Sequence, residues 1–219
     1  MQNIFPTIEK CRLFKDISPL DSEKLLSCLN AGIKTFEKGS IIFSEGAPAR
    51  HAGILLSGKL NIINDDYYGN HNILADISPG ELFGEVFACA DTEFIPVTVA
   101  ANEKSDILLF DCRRIISPCA ENCEFHRILT GNLLAAVSEK ALFLNRKLSF
   151  ISKRTTREKL LSYLLYFSKQ TGRTSFCIPF NRQELADFLC VDRSALSAEM
   201  SRMKRDRIIE YDRNRFTLL

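Results

Sequence analysis

Hydrophobic and polar positions divide the chain into stretches of different period. Residues 6 to 30 read as short helices, with Ser18-Pro19 and Asp21 as start signals and Leu25, Leu26 and Leu29 on one face. From Gly32 to Asp111 this gives way to short apolar runs of β character, among them Ile41-Ile42-Phe43, Ala52 to Leu56, Leu60 to Ile63 and Ile107 to Phe110. Gly39, Gly46, Gly58, Gly69, Gly80 and Gly84 punctuate them. Strands so short and so regularly spaced predict a small barrel or roll.

After Pro118 the helical period returns for roughly thirty residues. Leu134, Val137, Ala141, Leu144, Leu148 and Ile151 recur at alternating steps of three and four, the seam of a two-stranded coiled coil. A second copy of the chain is the expected partner. A core helix within one chain is the alternative, because the run is under three heptads and Phe143 and Phe150 lie off the stripe. Lys153 to Thr156 is the natural boundary, and Thr155 and Glu158 have the spacing of a capping box. The next helix is expected to bury Leu160, Leu161, Leu164 and Phe167 and to end near Gly172, before a short strand at Phe176 to Pro179.

The most informative stretch runs from Asn181 to Arg207 and predicts a helix-turn-helix. Asn181 and Glu184 form a capping box for a first helix with Leu185, Phe188 and Leu189 on its core face. Ala186 is small where a second helix must cross, Cys190-Val191 makes the connection, and Asp192 is expected to cap a helix packed through Leu196, Met200 and Met203. That crossing turns the second helix's opening turn outward, toward a major groove. Arg193 is the expected base reader, since a guanidinium can bridge both acceptors on guanine's major-groove edge, with Ser194 and Ser197 beside it. Arg182 and Gln183 suit phosphates, as do Arg202, Lys204, Arg205 and Arg207.

Charge strengthens this picture. Residues 1 to 145 hold 13 Lys+Arg and 19 Asp+Glu, a net of −6, whereas residues 146 to 219 hold 16 and 8, a net of +8. Clustered cations gain free energy by releasing the counterions condensed on nucleic acid. No stretch approaches twenty uncharged apolar residues and no basic segment precedes an apolar one at the N-terminus, so a cytoplasmic protein with no membrane span is expected. Eight cysteines spread over the chain read as scattered, reduced core thiols. A metal or redox site at Cys89, Cys112, Cys119 and Cys123, and haem ligation by His71, are the alternatives. No residue pattern for nucleophilic catalysis or a phosphate-gripping glycine loop occurs, and a cupin-type metal enzyme lacks its His-x-His, so no catalytic residues are expected.

At this point the chain resembles the Crp/Fnr family of transcription regulators along nearly all its length. The resemblance is carried by Lys38-Gly39 with Phe43-x-Glu45-Gly46, Leu56-Ser57-Gly58-Lys59-Leu60, Pro79-Gly80-x-x-Phe83-Gly84-Glu85, Arg182-Gln183-Glu184-Leu185-Ala186, and Asp192-Arg193. It implies an α+β protein with an N-terminal β-roll of the cyclic-nucleotide-binding jelly-roll type over residues 1–117, a long dimerisation helix over 118–153, and a C-terminal winged helix-turn-helix over 154–219. It also implies a homodimer on near-palindromic double-stranded DNA, RNA polymerase as a partner, and an effector pocket around Phe83, Gly84, Glu85, Ile95, Pro96 and Thr98.

Three departures limit the analogy. Nucleotide-binding members hold the cyclic phosphate with an Arg-Ser pair, and its place falls at Ile95-Pro96 here. No Lys or Arg lies between Leu60 and Glu103, a window with eight acidic residues, so cyclic AMP is not the expected effector and the cofactor stays unknown. Closely spaced N-terminal cysteines of the iron-sulfur members are missing too, with only Cys11 and Cys28 present. Ala198 stands where many members carry a DNA-contacting arginine, so the family's best-known half-site does not transfer. A cyclic-nucleotide-binding module acting on a protein partner is the alternative reading.

Overall fold

The computed structural model describes residues 4–65, 71–90, 92–117 and 124–219, without the side chains of 65 and 71–74. It divides into two compact units, Met1–Ser138 and Glu139–Leu219. The first opens with α1 (Phe5–Ile8), a 3-10 turn (Arg12–Phe14) and α2 (Pro19–Cys28). The Ser18 hydroxyl accepts the Asp21 N–H at 3.3 Å, and Pro19 sits in the first turn, where a missing N–H costs nothing.

There follow β1 (Gly32–Phe36), β2 (Ile41–Phe43), β3 (His51–Ser57), β4 (Leu60–Asp65), β5 (His71–Ile77), β6 (Leu82–Phe83), α3 (Glu85–Cys89), β7 (Thr98–Ala101) and β8 (Ser105–Asp111). Among the described residues these strands form two antiparallel sheets, ordered β1-β8-β3-β6 and β2-β7-β4-β5. β3 is a continuous apolar run because both its faces are covered. Ala52, Ile54 and Leu56 share a core with Leu25, Leu29 and Phe110, whereas Leu55 packs between the sheets with Leu60, Val99 and Ile107. The β3–β4 turn requires glycine: Gly58 has φ +91°, and a Cβ there would come within 2.3 Å of Ser105 Oγ.

α4 (Arg113–Ile116) and the 28-residue α5 (Glu124–Ile151) complete the unit, whose division from the next falls inside α5. Leu129 and Leu133 of α5 are buried in the core that holds the N-terminal helices. Among the described residues no helix is long and apolar enough to cross a membrane.

The second unit contains α6 (Thr156–Thr171), β9 (Ser175–Cys177), α7 (Arg182–Phe188), α8 (Arg193–Arg205), β10 (Ile209–Asp212) and β11 (Arg215–Leu218), its strands ordered β10-β11-β9. α6 starts on the expected capping box and stops at Gly172, whose left-handed φ of 64° ends the helix. Leu160 and Leu164 are fully buried; Leu161 and Phe167 are half-buried at the edge of the same core. The expected strand at Phe176 to Pro179 starts one residue earlier and ends two residues earlier, over Ser175–Cys177, since Pro179 has no N–H to donate and Ile178 N–H bonds to Asn214 O at 2.9 Å beyond the paired register.

Candidate nucleic-acid interface

α7 and α8 meet as the sequence predicts, and local chemistry holds the angle. Asn181 Oδ1 accepts the Glu184 N–H at 3.0 Å while Glu184 Oε2 accepts the Asn181 N–H at 2.7 Å. Past Leu189 the backbone turns through Cys190 at φ 52°, and the Val191 N–H reaches back to Ala186 O at 3.0 Å. Lys159 Nζ of α6 donates to Leu189 O and Cys190 O at 3.4 and 3.3 Å, putting a cation on the carbonyls that end α7. Asp192 corrects an expectation: it occupies the N-cap position of α8 in extended conformation, but its exposed side chain makes no capping bond.

Leu196, Met200 and Met203 are fully buried and fix which face of α8 looks outward. Arg193 and Ser194, on the opening turn, are exposed; Ser197 is half-buried, and its carbonyl accepts the Ser201 hydroxyl at 3.0 Å. Arg157 of α6 clamps the rear of α8 by binding Glu199 at 2.5 Å and Asp206 at 2.7 Å, and these bonds raise its pKa. Arg202 is exposed and pairs with Glu199 at 3.3 Å, and the Gln183 amide donates to Asp187 at 2.8 Å. Arg182 differs from the other candidates. It is half-buried, its guanidinium lies 5.2 Å over the Tyr211 ring and donates to Met200 Sδ, and desolvation lowers its pKa. It ties α7 to α8 and β10. Lys204 is likewise engaged, with Glu210 at 2.6 Å.

Two exposed cations escaped the sequence reading, Arg213 and Arg215 in the β10–β11 hairpin. Arg213 takes a left-handed φ of 51° at the tip. The available signal was Asp212-Arg213-Asn214, turn-forming residues between the apolar runs Ile208-Ile209 and Phe216 to Leu218.

Along α5, Leu134, Leu144 and Leu148 are 69%, 62% and 59% exposed and Ala141 is exposed, while Val137 and Ile151 are half-buried. Leu142 and Phe143 widen this apolar strip. Phe150, off the stripe, is buried edge-on against Tyr163, with ring centroids 5.6 Å apart.

The six predicted effector-pocket residues differ in burial and contacts. Phe83 is buried with its ring 5.5 Å from that of Phe43, Gly84 turns at φ 78°, and Glu85 is fully buried at the start of α3. Ile95 is buried and Pro96 exposed, and Thr98 Oγ1 accepts the Glu45 N–H at 3.3 Å. A cavity of about 490 Å³ lies where Ile42, Phe43, Ile95 and Leu109 meet Lys34 and His51, and of the six Ile95 lines it. Among the described residues no cluster of three or more His, Cys, Asp or Glu is placed to hold a metal. Cys119, Cys123 and the His71 side chain lie outside the described residues.

Residues 33–122 match the cyclic nucleotide-binding domain family and residues 158–219 the Crp-like helix-turn-helix domain family. The catabolite activator protein of Thermus thermophilus shares the fold at 21% identity and TM-score 0.51, over 95% of this chain and 93% of that one. DNR from Pseudomonas aeruginosa does so at 22% identity and TM-score 0.52, over 100% and 95%. Potassium channel KAT1 of Oryza sativa subsp. japonica is 30% identical over 130 residues, 59% of this chain and 18% of the channel, so the chain spans less than a fifth of that curated relative.

Proposed function

Because this chain belongs to the Crp/Fnr family of transcription regulators, with its cyclic-nucleotide-binding-type domain ahead of its helix-turn-helix, we propose that it regulates transcription in the cytoplasm as a DNA-binding homodimer. One observation carries the reading: α8 buries Leu196, Met200 and Met203 and thereby holds Arg193 and Ser194 outward on its first turn. Arg193 reads a guanine edge there, with Ser194 and Ser197 alongside. Arg202, Arg205, Arg207 and the hairpin cations Arg213 and Arg215 meet phosphates, and Gln183 approaches the same backbone.

The exposed strip of α5 supports pairing of two copies, since an intramolecular core helix would not leave three leucines more than half exposed. Two paired subunits present two α8 helices to half-sites about one helical turn apart. RNA polymerase is the further partner the family implies. Cyclic AMP is not the effector: the cationic clamp is replaced by Ile95-Pro96 in a carboxylate-rich stretch, and an apolar pair cannot supply charge-assisted bonds to a phosphate.

Selection from random duplexes with the full chain at moderate salt tests this. An enriched inverted repeat is expected, and failure to enrich any would overturn the reading. Calorimetry with cyclic AMP and cyclic GMP is expected to give no binding heat.

A further inference from the structure

Cys89 and Cys112 belong neither to the α8 surface nor to the α5 strip, yet their sulfurs lie 3.5 Å apart. They come from different elements: Cys89 is the last residue of α3, and Cys112 stands at the N-cap of α4, directly after β8. One buried thiol is ordinary packing, since free cysteine behaves as a small hydrophobe. Two thiols in contact, one sealed and one reachable, are a different arrangement. Cys112 is 0% exposed, whereas Cys89 is only part-buried.

We propose that Cys89 and Cys112 are a reversible dithiol–disulfide pair oxidised by hydroperoxides, with Cys89 as the attacking thiolate and Cys112 as the resolving thiol. The hydrogen bond between the two sulfurs lowers the Cys89 pKa, against burial and the nearby Glu85 carboxylate. The same bond, with burial and the carboxylates of Glu85 and Asp111, keeps Cys112 protonated. The Cys89 thiolate attacks the peroxide: an S–O bond forms, the O–O bond breaks, and the leaving oxygen departs as an alcohol or water after taking a proton. Cys112 then attacks the resulting sulfenic acid. An S–S bond forms, the S–OH bond breaks, and the Cys112 proton leaves with the hydroxide as water. Two thiols and one peroxide thus yield one disulfide, one alcohol or water, and one further water.

A disulfide needs its sulfurs about 2.05 Å apart, so the pair must close by roughly 1.5 Å, within reach of small side-chain rotations. Both residues pack in or against the core that holds Ile115, Leu129 and Leu133. The bond therefore ties the segment carrying Glu85 to the chain leading into α5.

The full-length protein, reduced, exposed to stoichiometric hydrogen peroxide, alkylated and digested with trypsin, tests this without DNA. The proposal therefore fails or stands separately from the one above. Tryptic fragments 60–104 and 105–113 each carry one cysteine, Cys89 and Cys112. The expected product is these two fragments linked, with two of the eight cysteines lost to alkylation and restored by dithiothreitol, and a chain roughly 2 Da lighter. Cys89→Ala should abolish the loss, and Cys112→Ala should leave Cys89 as a sulfenic acid that dimedone traps. If Cys112→Ala does not fold, the wild-type map and Cys89→Ala decide. The proposal is overturned if both thiols stay alkylatable under peroxide, or if either links to a different cysteine instead.

Discussion

Arg182 and Arg193 open successive helices and look alike in the sequence, but their surroundings differ. Arg182 is half-buried over Tyr211, where its stem and guanidinium are part of the packing between α7, α8 and β10. Arg193 is exposed on the first turn of α8. Arg193→Ala should leave thermal stability unchanged while costing about 1–3 kcal/mol of discrimination at one base pair. Duplex selection with the variant checks this, and an unaltered base preference at every position would remove Arg193 from base reading. Arg182→Ala should do the reverse, lowering the melting temperature through lost packing. If the variant melts with the wild type, Arg182 is not the structural tie described above.

Elements depend on their ends and on their uncovered faces. At the start of α6, Glu158 Oε2 accepts the N–H groups of Thr155 and Arg154, each at 3.1 Å, while Thr155 Oγ1 accepts the Glu158 N–H at 3.2 Å. The Thr155 backbone bond chiefly holds the Glu158 pKa below its ordinary 4.5. A carboxylate depressed in the folded state stabilises above its unfolded pKa, and that stability is lost as the pH falls through the lowered value. Glu158→Gln should therefore flatten the fall of melting temperature below about pH 4.5. Thermal scans of both proteins across that range test it, and parallel curves would refute it. On α5, exposed Leu144 and Leu148 have no role in the core of a single chain. Leu144→Asp with Leu148→Asp should convert dimer to monomer in sedimentation velocity with helicity retained. A variant that still sediments as a dimer would move the interface elsewhere.

At the scale of the molecule, the charge imbalance decides how the protein approaches DNA. The acidic first part repels a polyanion and the basic second part attracts it, so binding should weaken steeply with salt, with a slope of log K on log salt near −0.9 per phosphate neutralised. Arg213→Ala should reduce that slope by roughly two for the dimer, about one per subunit, without altering base preference. Titrations between low and moderate salt measure both. A slope near zero would mean that the exposed cations of α8 and the hairpin do not contact the backbone.

Local pattern was enough for much of this. The capping boxes at Thr155 and Asn181, the buried triad Leu196, Met200 and Met203, and the stripe along α5 were legible because each depends on residues three or four apart on one helix. The weak strands were not. Gly32–Phe36 is mostly exposed and exists through pairing with Ser105–Asp111, far along the chain, and the two-residue Leu82–Phe83 through pairing with Gly53 and Ile54. Arg182 over Tyr211, the hollow at Ile42 and His51, and the contact between Cys89 and Cys112 likewise came only with the tertiary structure. Periodicity says which face of an element is apolar. It does not say which distant element arrives to cover it, and that arrival decides whether a cation is left for a partner and whether two thiols meet.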